Sequence, residues 1–260
     1  QVMREVCQYF DQISLRKTGD YSGSVKGLIE LNNISVVDSL TPQYGKALSK
    51  INLRASPGEI TALIGTVGAG QSEVIKLLLG ELQPKSGDCL IDSTRRADWC
   101  TESLQNNIAV VGESVSLPEG TIAELISRFA AVDKTQAIQA AQITGLNQRL
   151  IELDIAYDFF FDHQARSTAI GLQLERLITL TAAVACEAKI VLMENPETYC
   201  NAIMLNQLTQ SLQLLKEQKR TVLLTTNSRQ LIKLAQRSYL FDNGAVVPPP
   251  GSFASPQRVA

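Results

Sequence analysis

Residues 59–82 read EITALIGTVGAGQSEVIKLLLGEL, and this stretch decides the fold. The Ser56-Pro57-Gly58 turn leads into an apolar run that predicts a strand over Glu59–Ile64. A glycine loop follows at Gly65–Gly70, and apolar periodicity from Ser72 to about Leu82 predicts a helix stopped by Pro84. Strand, glycine loop and helix in that order form the context in which backbone N–H groups at a helix N-terminus cradle phosphates. Gly65-Thr66-Val67-Gly68-Ala69-Gly70-Gln71-Ser72 satisfies the phosphate-loop pattern GxxxxGK[ST] everywhere except at the lysine, which is Gln71. Glutamine can donate a hydrogen bond but brings no charge. A tight turn that merely starts a helix remains the structural alternative for the same residues.

Upstream, Leu28–Val37 and Leu48–Arg54 read as strands, and Lys17–Lys26 (KTGDYSGSVK) has the Gly, Ser and charge content of a linker. Downstream, Cys89–Ile91 and Ile108–Val111 are short strands. Helical patterns then cover Thr121–Phe129, Lys134–Thr144, Leu146–Leu153 and Leu172–Cys186. Strand and helix alternate again: Lys189–Met193, helix Ile203–Lys216, strand Thr221–Thr226, helix Arg229–Gln236 and strand Ser238–Phe241. Asp242-Asn243-Gly244 signals a tight turn. This alternation implies a mainly parallel sheet covered on both faces. The helical stretch before Lys189 is too long for one crossover and is expected to be an inserted subdomain.

Composition narrows the function. With 24 basic against 26 acidic residues and no basic cluster, no nucleic-acid surface is expected. The longest uncharged apolar stretch, Leu177–Cys186, is far short of the roughly 18 residues that cross a bilayer. Met3–Phe10 carries both charges and lacks an apolar run, so no secretory leader is expected there. Five scattered cysteines without a CxxC pair read as reduced thiols, and His163, the single histidine, has no neighbouring metal ligand.

Beyond the glycine loop, segment order from Leu28 to Val247 resembles the nucleotide-binding domains of ABC transporters, above all fused exporters of the bacterial type I secretion kind. Ile51-Asn52-Leu53 with Pro57-Gly58-Glu59-Ile60 is similar to the family's approach to its Walker A loop. Ile108–Val111 and Gly120-Thr121-Ile122-Ala123-Glu124 resemble the flanks of its Q-loop. Ile190–Met193 with Pro196 resembles the Walker B strand, and Thr221–Thr226 the strand before the switch histidine. The resemblance implies a P-loop NTPase (RecA-like) α/β core, an N-terminal antiparallel β subdomain and an inserted helical subdomain at about 120–186. Its implied organisation is a connector from a transmembrane part at 1–26, the nucleotide-binding domain at 27–247 and a loose tail at 248–260. It further implies ATP and Mg2+ as ligands, with no other metal.

The family's functional positions are altered here. Glu194 stands at the Walker B aspartate and Asn195 at the catalytic glutamate, and an amide cannot take a proton from attacking water at neutral pH. Glu113 corresponds to the Q-loop glutamine, Asn227 to the switch histidine and Asp38 to the adenine-stacking aromatic, with Tyr44 as a nearby substitute. The LSGGQ signature reads Ala169-Ile170-Gly171-Leu172-Gln173, and the SALD-like segment reads Thr198-Tyr199-Cys200-Asn201. Retained nucleotide binding would fall to Gly65, Thr66, Val67, Gly68, Ala69, Gly70, Gln71, Ser72 and Glu73; a bound magnesium would fall to Ser72, Glu113 and Glu194.

The expectation is a degenerate ATP-binding domain with weak or no ATP binding and no hydrolysis, coupling its own transmembrane domain to a second nucleotide-binding domain. That second domain is an identical copy or an active paralogue. The resemblance implies a place at the cytoplasmic face of the inner (plasma) membrane, with this fragment soluble. A slow ATPase using Glu194 or Glu113 as base, and a regulatory scaffold outside transport, are the alternatives.

Overall fold

The computed structural model describes residues 19–37, 48–112 and 117–248. Asp38, Tyr44, Glu113, most of the expected connector and most of the expected tail lie outside them.

In chain order the elements begin with β1 (Ile29–Val36), β2 (Leu48–Ala55), β3 (Ile60–Gly65) and helix α1 (Gln71–Leu79). Next come β4 (Ser86–Ile91), β5 (Thr94–Arg95), a 3-10 turn at Arg96–Asp98, α2 (Thr101–Asn107), β6 (Ile108–Val111) and β7 (Gly120–Thr121). The helical part contains α3 (Ile122–Ile126), α4 (Lys134–Thr144), α5 (Leu146–Glu152), β8 (Phe160–Phe161), α6 (His163–Arg166) and α7 (Ala169–Ala185). The chain closes with β9 (Ile190–Glu194), α8 (Ala202–Glu217), β10 (Thr221–Thr225), α9 (Arg229–Leu234), β11 (Arg237–Asp242) and β12 (Ala245–Val247).

The central sheet has the order β12-β11-β3-β10-β9-β6, parallel except for the β11–β12 hairpin. Its strands are apolar on both sides because both faces are covered. Val191, Met193, Val222 and Leu224 face the helical half of the core, whereas Ile190, Leu192 and Leu223 face the N-terminal half. That division follows the two-residue period of a strand. The second sheet, β2-β1-β4-β5, is antiparallel and packs with α1 in the N-terminal half. An α/β fold with a parallel core, an antiparallel N-terminal sheet and a helical insertion is therefore present as expected.

Three helix boundaries differ from the sequence reading by three residues, the others by two or fewer. α1 ends at Leu79 rather than near Pro84, because Gly80 takes φ 83° and its N–H turns back to Leu77 O. The Arg96 guanidinium supports that end, donating to Leu78 O at 3.1 Å and Leu79 O at 2.6 Å. α3 stops after Ile126, where Arg128, Phe129 and Ala130 adopt positive φ, instead of continuing to Phe129. α7 starts at Ala169, three residues earlier than expected, because the Thr168 hydroxyl accepts from Gly171 N–H and caps it.

The described end of the expected connector is packed against the core. Tyr21 sits edge-on to Trp99 with ring centroids 4.7 Å apart, and Asp92 accepts from the amides of Lys26, Gly27 and Leu28.

Candidate nucleotide site

The glycine loop lies where the sequence puts it, between β3 and α1. Ala69 N–H donates to Thr66 O and closes a turn that leaves Val67 fully exposed at its tip. Gly244 N–H donates to Ala69 O, so the β11–β12 hairpin braces the loop. Gly70 takes φ 116° at the helix start, where no side chain caps the first turn. Those N–H groups are thus available to an anion. A Cβ at Gly68 would meet nothing within 4 Å, which leaves room above the turn.

Gln71 is buried, and its amide lies against Gly65: a Cβ there would come within 2.6 Å of Gln71 Nε2 and 2.6 Å of Phe241 O. Close approach explains the glycine, and the lysine position is filled by an uncharged side chain folded onto the loop. Ser72 and Glu73, in the first turn, are half-buried.

Glu194 closes β9 and is buried, with its side chain over Gly112: a Cβ on that glycine would be 2.7 Å from Glu194 Cβ and 3.0 Å from Oε2. Parallel pairing of β9 with β10 sets Glu194 beside Thr225. Asn195 follows with φ 41°; its N–H donates to Thr225 O at 3.1 Å and to Thr225 Oγ1 at 3.0 Å. Asn227 lies past the end of β10, and its N–H donates to Glu197 Oε1 at 3.1 Å. The structure thus brings Glu194, Asn195 and Asn227 to the C-terminal ends of two interior strands, β9 and β10, the latter beside the strand that ends in the glycine loop.

Glu197 was not singled out by the sequence reading. Beyond Asn227 it accepts from Thr226 Oγ1 at 2.5 Å, and its Oε2 is buried without a hydrogen-bond partner. A single acidic residue in a loop after a strand carries no periodic signal; only the β9–β10 register makes it meaningful. Negative charge accumulates nearby: burial first, then Glu194 charge, holds the Glu81 carboxyl above its ordinary range, with Lys76 opposing.

The signature-like segment is the first turn of α7. Ile170 is exposed, Gly171 is buried, and Gln173 ties two elements together. Its Nε2 donates to Tyr199 O at 3.3 Å, while its Oε1 accepts from Arg149 Nη2 at 3.1 Å. His163 is exposed on α6, where its backbone N–H donates to Glu119.

Residues 48–198 match the model of the family described as ABC transporter. The chain belongs to that family. Among the ABC proteins to which it is similar is a ribose import ATP-binding protein RbsA 3 of Rhizobium etli, 26% identical over 233 residues, covering 88% of this chain and 44% of the relative. An ATP-dependent lipid A-core flippase of Psychrobacter arcticus is 28% identical over 243 residues, covering 91% of this chain and 39% of the relative. The chain therefore spans less than half the length of these relatives. A bacterial Atm1-family ABC exporter with ATP bound superposes with a TM-score of 0.75 at 16% identity, over 90% of this chain and 40% of that one; this likeness establishes the fold.

ABC family membership implies ATP and Mg2+. The cradle suits a phosphate by its open turn and uncapped N–H groups. Its donor set does not suit the charge: Gly65–Ser72 holds no basic residue, while Glu194 stands at the end of β9 and Glu197 in the loop after it.

Proposed function

We propose that this ABC domain serves an exporter as a structural and coupling partner, with weak or no ATP binding and no hydrolysis at its own glycine loop. The observation that carries this reading is Asn195. It occupies the position of the proton acceptor with an amide, and its N–H and side-chain oxygen are both engaged by Thr225. The remaining carboxylates are committed elsewhere: Glu194 is buried over Gly112, and Glu197 is held by Thr226 and Asn227.

Charge points the same way. Phosphoryl transfer relies on cations that offset the negative charge on the transferred group. Here Gln71 brings none, and losing a single transition-state donor costs on the order of a hundredfold or more in rate. Any magnesium would depend on Ser72, Glu194 and Glu113.

An export role is supported by similarity to lipid A-core flippases, including 28% identity over 88% of this chain in Psychrobacter cryohalolentis, and by the sequence resemblance to type I secretion exporters. Similarity to ribose import proteins is of the same size, so the direction of transport is the part of the reading most exposed to test. In this proposal the partners are a transmembrane domain and a second nucleotide-binding domain, identical or active, at the cytoplasmic face of the inner membrane. Residues 27–247 form the working unit.

Calorimetry with ATP and Mg2+ tests the claim, with no binding tighter than about millimolar (about 4 kcal/mol) expected. A micromolar titration, or phosphate release above the buffer blank that disappears in Glu194→Gln, would refute it.

A further inference from the structure

We propose that Glu197 is an internal anion that holds the Thr226–Ser228 segment in one position with no ligand bound. It is a positioning residue acting on the loop after β10. This inference deepens the reading of a domain without a hydrolytic cycle, and only its consequence for nucleotide sensing rests on that reading.

The geometry is specific. Glu197 Oε1 accepts from Thr226 Oγ1 at 2.5 Å and from Asn227 N–H at 3.1 Å. Thr226 Oγ1 in turn accepts from Ser228 N–H at 3.0 Å, so one carboxylate oxygen organises three consecutive residues. Thr226 N–H donates to Leu63 O on β3, which ties the same segment to the strand that ends in the glycine loop. Glu197 is itself held on two sides: Thr198 N–H donates to Asn195 O at 2.9 Å, and Cys200 N–H to Glu197 O at 3.0 Å. Its Oε2 is buried with no hydrogen-bond partner among the described residues, whereas the Oε1 bond to Asn227 lies at an exposed position. A charged acceptor strengthens both Oε1 bonds relative to neutral ones.

A loop beside a phosphate cradle can respond to a bound anion when its N–H and O–H donors are vacant. Here a side chain of the protein already satisfies them. The loop is therefore held in this one arrangement whether or not the cradle is filled, and it carries no report of the cradle's state.

Hydrogen exchange on the 260-residue chain tests this. Without nucleotide, the Asn227 amide of the wild type is expected to be protected well above an unstructured amide. Glu197→Ala should speed its exchange roughly tenfold or more while leaving Leu223, central in β10, little changed. Glu197→Gln, which keeps an acceptor oxygen, should restore most of the protection, and Thr226→Val should fall between. Millimolar ATP with magnesium should leave the wild-type loop unchanged. Equal Asn227 exchange in wild type and Glu197→Ala, or uniform acceleration along β10 in every variant, overturns the anchor. So does a loop whose protection rises with ATP. Calorimetric ATP binding with no change at residues 226–228 overturns only the non-binding reading.

Discussion

Thr225 Oγ1 accepts a hydrogen bond from Asn195 N–H at 3.0 Å and donates one to Asn195 Oδ1 at 3.3 Å. This reciprocal pair joins the ends of two adjacent parallel strands and gives Asn195, which the proposed function places at the family's proton-acceptor position, a structural contact.

Restoring single functional groups is therefore expected to recover little. Gln71→Lys supplies the missing charge but no proton acceptor, and Asn195→Glu supplies the acceptor but no charge. Each variant should stay within about tenfold of the buffer blank in phosphate release, because groups that act as a unit are strongly non-additive. Large recovery from either one alone would show that the site is nearer to competence than proposed.

Thr121→Ala removes the hydroxyl half of a capping box in which Thr121 Oγ1 accepts from Glu124 N–H and Glu124 accepts from Thr121 N–H, leaving the backbone N–H bond in place. The loss should be about 1 kcal/mol at pH 7, which is about 2–4 °C in Tm for a chain of this size. The Thr121 backbone N–H, then its hydroxyl, hold the Glu124 carboxyl below its ordinary 4.5. A depressed carboxyl contributes stability above its unfolded value and loses it as pH falls through the folded value. Because the variant keeps the backbone N–H, the larger cause, the gap between wild type and variant should be constant near neutrality, and only the hydroxyl's share of it should narrow below pH 4.5.

Gly80→Ala should destabilise by more than about 1 kcal/mol, read by thermal unfolding. Gly80 has φ 83°, and an added Cβ would come within 2.4 Å of the Arg96 guanidinium. That guanidinium is buried and engaged with Leu78 O and Leu79 O, so it has little freedom to retreat.

Cys200 should resist alkylation. Burial first, and then the Glu197 charge, push its thiol up to about 11, with Arg176 opposing. At pH 8 the thiolate fraction gives a rate on the order of a hundredfold below a free cysteine. Glu197→Gln should speed labelling, as followed by mass spectrometry. Wild-type labelling at the rate of a free cysteine would contradict the charge environment described here.

Much of the fold was legible in the chain. Lys134–Thr144 and Ile108–Val111 have the boundaries that the sequence reading predicts, because Asp133 and Gly145 flank the first and short length with β-branched content marks the second. Boundaries set by a single cap were not legible. Thr168 extends α7 over the signature-like residues, and Gly80 ends α1 ahead of the proline that looked like its stop. Ala245–Val247 pairs with β11 across the Asn243-Gly244 turn, although three residues are too few to show a period.

The sequence by itself determined the strand, glycine loop and helix of the cradle, and that Gln71 and Asn195 bring no charge. Those features are local, since backbone conformation and side-chain charge belong to each residue. Only the tertiary structure decided what these side chains contact. Gln71 reaches Gly65 across a single loop, whereas Asn195 pairing with Thr225, and Glu197 holding Thr226 and Asn227, depend on the register of parallel strands joined by long crossovers. Residues about thirty positions apart become neighbours there through packing of the whole sheet, which no local pattern encodes.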